Sequence, residues 1–347
     1  MLLPPTGPAA MPSAGAPEPP IAAGASITVR GPASASRNDS VHLLLCVNAA
    51  FLQHAAVCLT SVLVNNPDLF FDIVIAGRAG ESLNEAKLRR SLACFPNYSI
   101  AFCEFSPPAD RRLPLNPRAH YTLDNWARLW VADFFPAEVD RALYLDSDIV
   151  VTGSIAALWQ TDLAGALLGT IDIPGADRGV TLLGLRPEDG YFNSGVLLFD
   201  LKQWREARAL DAVLDYMETY PERMVFALDQ DALNACFHAR RMRLDYKWNA
   251  VWTFFQDRAP VPLTRAELEI VRRDARIIHF NASVKPWSYF CDHPRKGEYD
   301  KYLRMTEWRD FVPPDRTPIN RLRKLASVVL PARAKPLLKL LLPAKLR

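Results

Sequence analysis

The 347-residue chain has no CxxC pair among its six cysteines, no apolar run long enough to cross a bilayer, and no acidic residue in positions 319–347. Each absence excludes something. Cys46, Cys58, Cys94, Cys103, Cys236 and Cys291 sit mostly inside apolar segments. A free thiol there behaves as a small hydrophobe, so a reducing compartment is expected rather than a disulfide scaffold. The missing apolar run excludes a membrane-spanning helix. Forty-one Lys and Arg against 38 Asp and Glu give a formal net charge of +3. That leaves no nucleic-acid footprint over the whole chain. The opening "MLLPPTGPAAMPSAGAPEPP" has neither the basic start nor the apolar core of a signal peptide.

What is present organises into three parts. Residues 1–39 read as a disordered Pro/Ala-rich leader. Residues 40–312 carry the apolar periodicity of one catalytic domain. "VHLLLCVN" (41–48), "FFDIVIAG" (70–77) and "YSIAFCEF" (98–105) read as buried strands. Between them, 52–66 and 82–95 read as helices, the second opened by a Ser82/Glu85 capping box. This alternation predicts an α/β fold with parallel strands and helices on both faces. A proline-rich loop follows (106–120), then a helix over 122–135 and a strand or strand pair at "RALYLDSDIVV" (141–151). Further strands are expected at 166–172, 194–201 and 275–280, and helices at 208–219 and 229–238. Residues 313–347 form a basic amphipathic tail. Arg321, Arg323, Lys324, Arg333, Lys335, Lys339, Lys345 and Arg347 are interleaved with Leu and Val. That pattern suits a helix lying on an anionic membrane surface; a terminal helix packed on the domain is the other reading.

The informative stretch is 141–151. Asp146 and Asp148 interrupt an otherwise apolar run. Unpaired buried carboxylates are costly. In extended chain, residues two apart point to one side, and ligands of α/β sheets sit at carboxyl ends of strands. Two carboxylates converging there repel each other unless a cation neutralises them, and hard divalent cations share oxygen ligands with phosphates. Asp146-Ser147-Asp148 is also good turn chemistry; the apolar flanks favour the metal. His279 ends an apolar strand, where a lone histidine is more often structural; as a third ligand it would favour Mn2+ over Mg2+. Lys285, on the following loop, would stabilise charge on a phosphate leaving group. Asn193 and Ser194 precede another buried run, with Gly190 and Gly195 permitting close approach. Asp229, Gln230 and Asp231 open a helix. One acid suffices as a cap, leaving the others for recognition.

"LYLDSDIVVTGSIAALWQTDLAG", "YFNSGVLLFDLKQW", "DQDALNACF" and "HFNASVKPW", in this order, resemble the motifs of family 8 glycosyltransferases. The likeness is greatest to bacterial lipopolysaccharide galactosyl- and glucosyltransferases, and it covers about residues 41–310. It implies a GT-A fold with a mixed central sheet, a UDP-sugar donor, Mn2+, and transfer of a hexose with retention of configuration. The acceptor it implies is a saccharide or lipid-linked saccharide. By motif position, Asp146, Asp148 and His279 resemble the metal ligands, with Ser147 between the first two. Lys285 resembles the diphosphate-binding lysine, with Ser283 on the same loop. Arg128 resembles an arginine near the donor sugar and phosphate. Asn193, Asp229 and Gln230 resemble residues around the reacting face of the sugar, and Asp172 one near the sugars. Basic membrane-associating tails occur in the family, which implies a cytoplasmic enzyme on the inner membrane face. One departure stands out: the family's first strand ends in an acidic "ADDNY"-like segment. Here it is "CVNAAF", which leaves Asn48 for the nucleotide.

Two other classes remain at this stage. A metal-dependent nucleotidyltransferase can use paired aspartates but needs a glycine-rich phosphate loop after its first strand, and "CVNAAFLQHA" supplies none. A catalytically weak sugar-nucleotide-binding protein is compatible with the altered first strand.

Overall fold

The computed structural model describes residues 26–30, 39–109, 111, 126–225, 227–256, 259 and 261–329. Most of the leader, most of the 106–120 loop, the start of the expected 122–135 helix and the tail beyond 329 lie outside the described residues. The strands are β1 (Ser26–Arg30), β2 (Val41–Cys46), β3 (Phe71–Arg78), β4 (Tyr98–Ser106), β5 (Arg141–Leu145), β6 (Ile149–Val151), β7 (Leu168–Asp172), β8 (Phe192–Asp200), β9 (Arg241–Arg243), β10 (Ala250–Val251) and β11 (Ile277–His279).

Eight of them form one sheet in the order β1-β4-β3-β2-β5-β8-β7-β9, and a second sheet runs β10-β11-β6. The strands β4, β3, β2 and β5 are mutually parallel. Strand β8 runs antiparallel between β5 and β7, and β1 antiparallel to β4. The sheet is therefore mixed. The near-continuous apolar runs have a simple cause: both faces are covered. Leu43, Leu45, Leu143, Leu145, Val196 and Leu198 point into one apolar layer, with the helix Leu52–Asn65 over it. Leu44, Tyr144, Leu197 and Phe199 point into the other, against Trp126, Trp130, Trp204 and Phe237.

The helix Leu52–Asn65 is buried along nearly its whole length because the small sheet and the helix Lys296–Leu303 cover its other side. Its polar groups serve that contact. Ser61 Oγ accepts from the β6 amide of Val151 at 2.9 Å, and Asn65 Nδ2 donates to Val151 O at 3.0 Å and to Tyr302 Oη at 2.7 Å. His54 stacks on Trp287 with ring centroids 3.4 Å apart, and its Nδ1 lies 2.7 Å from Tyr299 Oη.

Three sequence expectations need correction. The leader is not structureless up to residue 39: Ser26–Arg30 pairs with β4 as an edge strand. The expected 122–135 helix is, in its described part, a 3-10 segment, Ala127–Asp133, kinked at Trp130. Ala127, Arg128 and Leu129 favour a helix, so it is burial of Ala127–Val131 against the sheet that decides the conformation. Arg205 closes its far end by donating to the carbonyls of Ala132, Pro136, Ala137 and Val139. The helix expected over 82–95 spans Glu85–Leu92 and is capped by Asn84, which accepts from Lys87 N, rather than by Ser82.

The buried histidines give stability a pH dependence. Burial drives the His54 imidazole down to about 3, and burial drives that of His293 down to about 4. In the unfolded chain each takes up a proton near pH 6.5. The folded-state values are depressed, so their contribution is complete above pH 6.5 and is lost as pH falls towards 3–4. Each should add a slope of about 1.4 kcal/mol per pH unit across that window. The His54→Gln variant should flatten the urea-denaturation stability profile between pH 4 and 6 by about that amount. An unchanged slope would contradict the assignment.

Candidate functional site

The site forms where the chain passes from one sheet to the other. Strand β5 ends at Leu145 in the large sheet, and β6 begins at Ile149 in the small one. The connection is the turn Asp146-Ser147-Asp148. Its backbone is held on both sides: Asp146 N donates to Gly195 O of β8 at 2.8 Å, and Phe280 N, just after β11, donates to Asp148 O at 3.0 Å. The segment is a turn, as one reading of the sequence expected, but the carboxylates do not cap it. They point at groups from elsewhere in the chain.

Asp146 Oδ1 accepts from Tyr144 Oη at 2.7 Å and faces Arg128 Nη1 at 3.1 Å. Asp148 Oδ2 accepts from Lys285 Nζ at 2.6 Å, and its Oδ1 lies 3.1 Å from His279 Nε2. The same His279 nitrogen is 3.7 Å from Asp146 Oδ2. One ligand atom from each of Asp146, Asp148 and His279 falls within 4.8 Å of the others. Burial pushes the Asp148 carboxyl up, but the Lys285 ammonium and His279 outweigh it and hold it well below the ordinary carboxylate range. Burial also opposes the Arg128 charge, yet Asp146 and Asp229 more than restore it, so Arg128 stays charged.

The donor set suits a divalent cation. With the proton of a neutral imidazole on Nδ1, the Nε2 lone pair of His279 would face two carboxylates. Electron-rich atoms at such separations attract only through a proton or a cation between them. Two oxygens and one imidazole nitrogen, with Asp146 partly open to solvent, would leave coordination positions of a divalent cation unfilled. Gly195 is required here. A Cβ at that position would stand 2.3 Å from His279 Cε1 and 2.6 Å from Asp146 Oδ2.

Behind the carboxylates lies a buried polar group. Arg128 Nη1 donates to Ser194 O at 2.9 Å, its Nε lies 3.2 Å from Asp229 Oδ2, and its guanidinium stacks over Tyr144 at 4.5 Å. Burial raises the Asp229 carboxyl to about 6 despite Arg128. Gln230 Oε1 accepts from Asn193 Nδ2 and from Ser194 N, both at 2.9 Å. Asp231 does the local work at the helix start: it accepts from Ala227 N at 2.8 Å and from Tyr191 Oη at 2.5 Å. Asp229 and Gln230 are thereby left to face Arg128 and Asn193.

Most of the expected site residues thus converge. Asp146, Ser147, Asp148, His279, Lys285, Arg128, Asn193, Asp229 and Gln230 share this region through the turn and the contacts above. Asn48 sits just past the carboxyl end of β2, the strand beside β5, where its side chain accepts from Phe51 N at 3.2 Å. Ser283 is exposed on the Lys285 loop. Asp172 differs: its carboxylate pairs with Arg241 at 2.6 Å and Arg243 at 3.4 Å. It lines a cleft of 540 Å³ with Arg243, Tyr246 and Lys247, and no other expected site residue lines that cleft. The two side chains missed by sequence reasoning are Tyr144 and Asn249. Strand alternation put Tyr144 on the same side as Asp146, which was the available signal. Asn249, fully buried, lies 3.0 Å from His279 Nδ1, and no motif marked it.

Comparison with known proteins identifies the family and the fold. A family model described as "Glycosyl transferase family 8" matches residues 42–291. General stress protein A of Bacillus subtilis (strain 168) is 24% identical over 284 residues, covering 80% of this chain and 98% of that protein. A lipopolysaccharide 1,2-glucosyltransferase of Escherichia coli (strain K12) is 23% identical over 296 residues, covering 84% and 86%. Among solved structures, the galactosyltransferase LgtC, in complex with donor and acceptor sugar analogs, superposes with a TM-score of 0.65 at 24% identity, covering 79% of this chain and 98% of that one. The fold is of the GT-A type.

The close approach at residue 195 makes a direct prediction. In Gly195→Ala the methyl group must displace His279 or Asp146, at a cost of about 1–3 kcal/mol. A lowered melting temperature together with weakened Mn2+ binding in a titration is expected. Unchanged values for both would show that the cluster tolerates rearrangement.

Proposed function

The chain belongs to glycosyl transferase family 8, and from that premise we propose that it transfers a hexose, galactose or glucose, from a UDP-sugar to a saccharide or lipid-linked saccharide acceptor in surface-glycan synthesis. The observation that carries this reading is the convergence of Asp146, Asp148 and His279 at the carboxyl end of β5, with Lys285 and Arg128 beside them. Asp146, Asp148 and His279 would hold a divalent cation, with Mn2+ favoured by the imidazole and Mg2+ also accommodated. When bound, such an ion supplies Lewis-acid neutralisation of a diphosphate leaving group. The glucosyltransferase relative supports the sugar class.

The protein's own groups divide the remaining work. Lys285 Nζ is held by Phe280 O at 2.9 Å and by Asp148. Its flexible four-carbon stem would let it turn from the carboxylate to a phosphate oxygen. Arg128 is a buried, fixed cation between Asp146 and Asp229, and its charge stabilises negative charge in the same region. Two routes retain configuration. A double displacement needs a nucleophile beneath the anomeric carbon. Gln230 is a neutral amide whose Oε1 already accepts two hydrogen bonds, and Asp229 is committed to Arg128. Both observations favour front-face attack by the acceptor hydroxyl, with its proton passing to the departing diphosphate. Asn193 and Gln230 then orient the sugar rather than bond to it.

The tail supports association with the cytoplasmic face of an anionic membrane. In the helix Pro318–Val329, Ile319, Leu322 and Leu325 lie three residues apart and are 56%, 67% and 62% exposed, next to Arg321, Arg323 and Lys324. Among the described residues no helix is long and apolar enough to cross a membrane.

Purified protein with Mn2+ should release UDP from UDP-galactose or UDP-glucose, and EDTA should abolish release. Lys285→Met should lower kcat by about 10²-fold. Donor binding without release from any UDP-hexose would favour the sugar-nucleotide-binding alternative. Truncation before Ile319 should abolish cosedimentation with anionic vesicles while leaving UDP release intact. Undiminished cosedimentation would refute the role of the tail.

A further inference from the structure

Two backbone amides dictate the state of a ring nitrogen on another strand. Gly195 N donates to Asn193 Oδ1 at 3.0 Å, and Ser194 N donates to Gln230 Oε1 at 2.9 Å. A backbone N–H can only donate, so the atoms it meets are the amide oxygens of Asn193 and Gln230. Asn193 therefore turns its Nδ2 to Gln230 Oε1, at 2.9 Å. The Asn249 atom 2.8 Å from Asn193 Oδ1 must then be the donor Nδ2. That leaves Asn249 Oδ1 facing His279 Nδ1 at 3.0 Å. An oxygen acceptor there requires a proton on Nδ1, which leaves Nε2 as the ring nitrogen that would bind a cation held by Asp146 and Asp148. Asn249 is completely buried, just ahead of β10, which pairs with β11 in parallel register. Its amide has no water to compete for it.

We propose that Asn249 is the positioning residue of the metal centre: its amide fixes the Nδ1–H tautomer and ring orientation of His279, and couples that ligand through Asn193 to Gln230. The inference rests on the reading of Asp146, Asp148 and His279 as metal ligands. It adds a residue that touches neither cation nor sugar and orders the groups that do. The direction of every bond in the relay, His279 to Asn249 to Asn193 to Gln230, follows from the amides of Ser194 and Gly195. Outer hydrogen-bond partners of ligating histidines typically govern affinity by 10–100-fold.

The test uses the full chain and Mn2+ alone. Asn249→Leu removes both bonds at similar volume and should weaken Mn2+ binding, read by electron paramagnetic resonance titration, by about 10–100-fold. Asn249→Asp keeps an acceptor for His279 and should restore the affinity, while the donation to Asn193 is lost and the KM for donor rises. Nitrogen-15 NMR of histidine-labelled protein supplies a readout independent of metal: His279 Nδ1 should carry a proton in the wild type, and a ring unprotonated at Nδ1 should become populated in Asn249→Leu. Unaltered Mn2+ affinity in folded Asn249→Leu, or an unprotonated Nδ1 in the wild type, would overturn the proposal. If Asn249→Leu does not fold, the wild-type tautomer and the Asn249→Asp affinity decide it. Failure of the wild type to bind Mn2+ would instead refute the metal-centre reading, and the NMR measurement would still decide the tautomer.

Discussion

The passage of the chain from β5 to β6 is the constraint on which the site depends. Three residues connect a strand in the large sheet to a strand in the small one, and two of them are aspartates. Because β5 is bonded to β8 and β6 to β11, the turn cannot move without breaking both ladders. The carboxylates are thus fixed between Gly195 on one side and His279 on the other. Apolar packing on both faces of β5 supplies the rigidity, and the turn turns it into chemistry. A fixed distance between two charged groups is hard to maintain on a loop; here it is set by two sheets.

The same geometry accounts for the cations. Converging carboxylates raise each other's energy, and their neighbours Arg128 and Lys285 relieve it differently. Arg128 is nearly inaccessible, tied to Ser194 O and stacked on Tyr144, so its charge is a permanent part of the frame. Lys285 sits on the loop after β11 and meets Asp148 by its flexible end. Its neighbour Trp287 is pinned by the stack on His54, itself held by Tyr299. The loop base is anchored while the ammonium can exchange partners. In a glycosyltransferase of this family, that division suits a site that must accept a charged donor and then release a more highly charged product.

Much of this was legible in the sequence. The paired aspartates stood out because a surface turn rarely needs "ALYL" before it and "IVV" after it, and His279, Asn193 and Gln230 lay at strand or helix ends, with Lys285 on the loop after His279. The parallel half of the sheet followed from alternating apolar runs. What was not legible depended on tertiary partners. Asn249, between Trp248 and Ala250, has no local pattern; its role arises only when β10 lies beside β11. Asp229 and Asp231 are indistinguishable as helix-start acids until Tyr191 and Ala227 claim one and Arg128 the other. The strand Ser26–Arg30 was hidden by its Pro/Ala-rich surroundings, since an edge strand takes its stability from the partner it joins. Asp172 carried a family position, but Arg241 and Arg243 determine where its carboxylate points.

The central claim is that Asp146, Asp148 and His279 together grip a divalent ion that carries an activated nucleotide. Anomalous diffraction at the manganese edge from crystals grown with Mn2+ and UDP tests it most directly. The account predicts a single peak bonded to both carboxylates, to His279 Nε2 and to the diphosphate, with Lys285 turned from Asp148 to a phosphate oxygen. A map without that peak, in which Lys285 still pairs with Asp148 and UDP lies elsewhere, would contradict it.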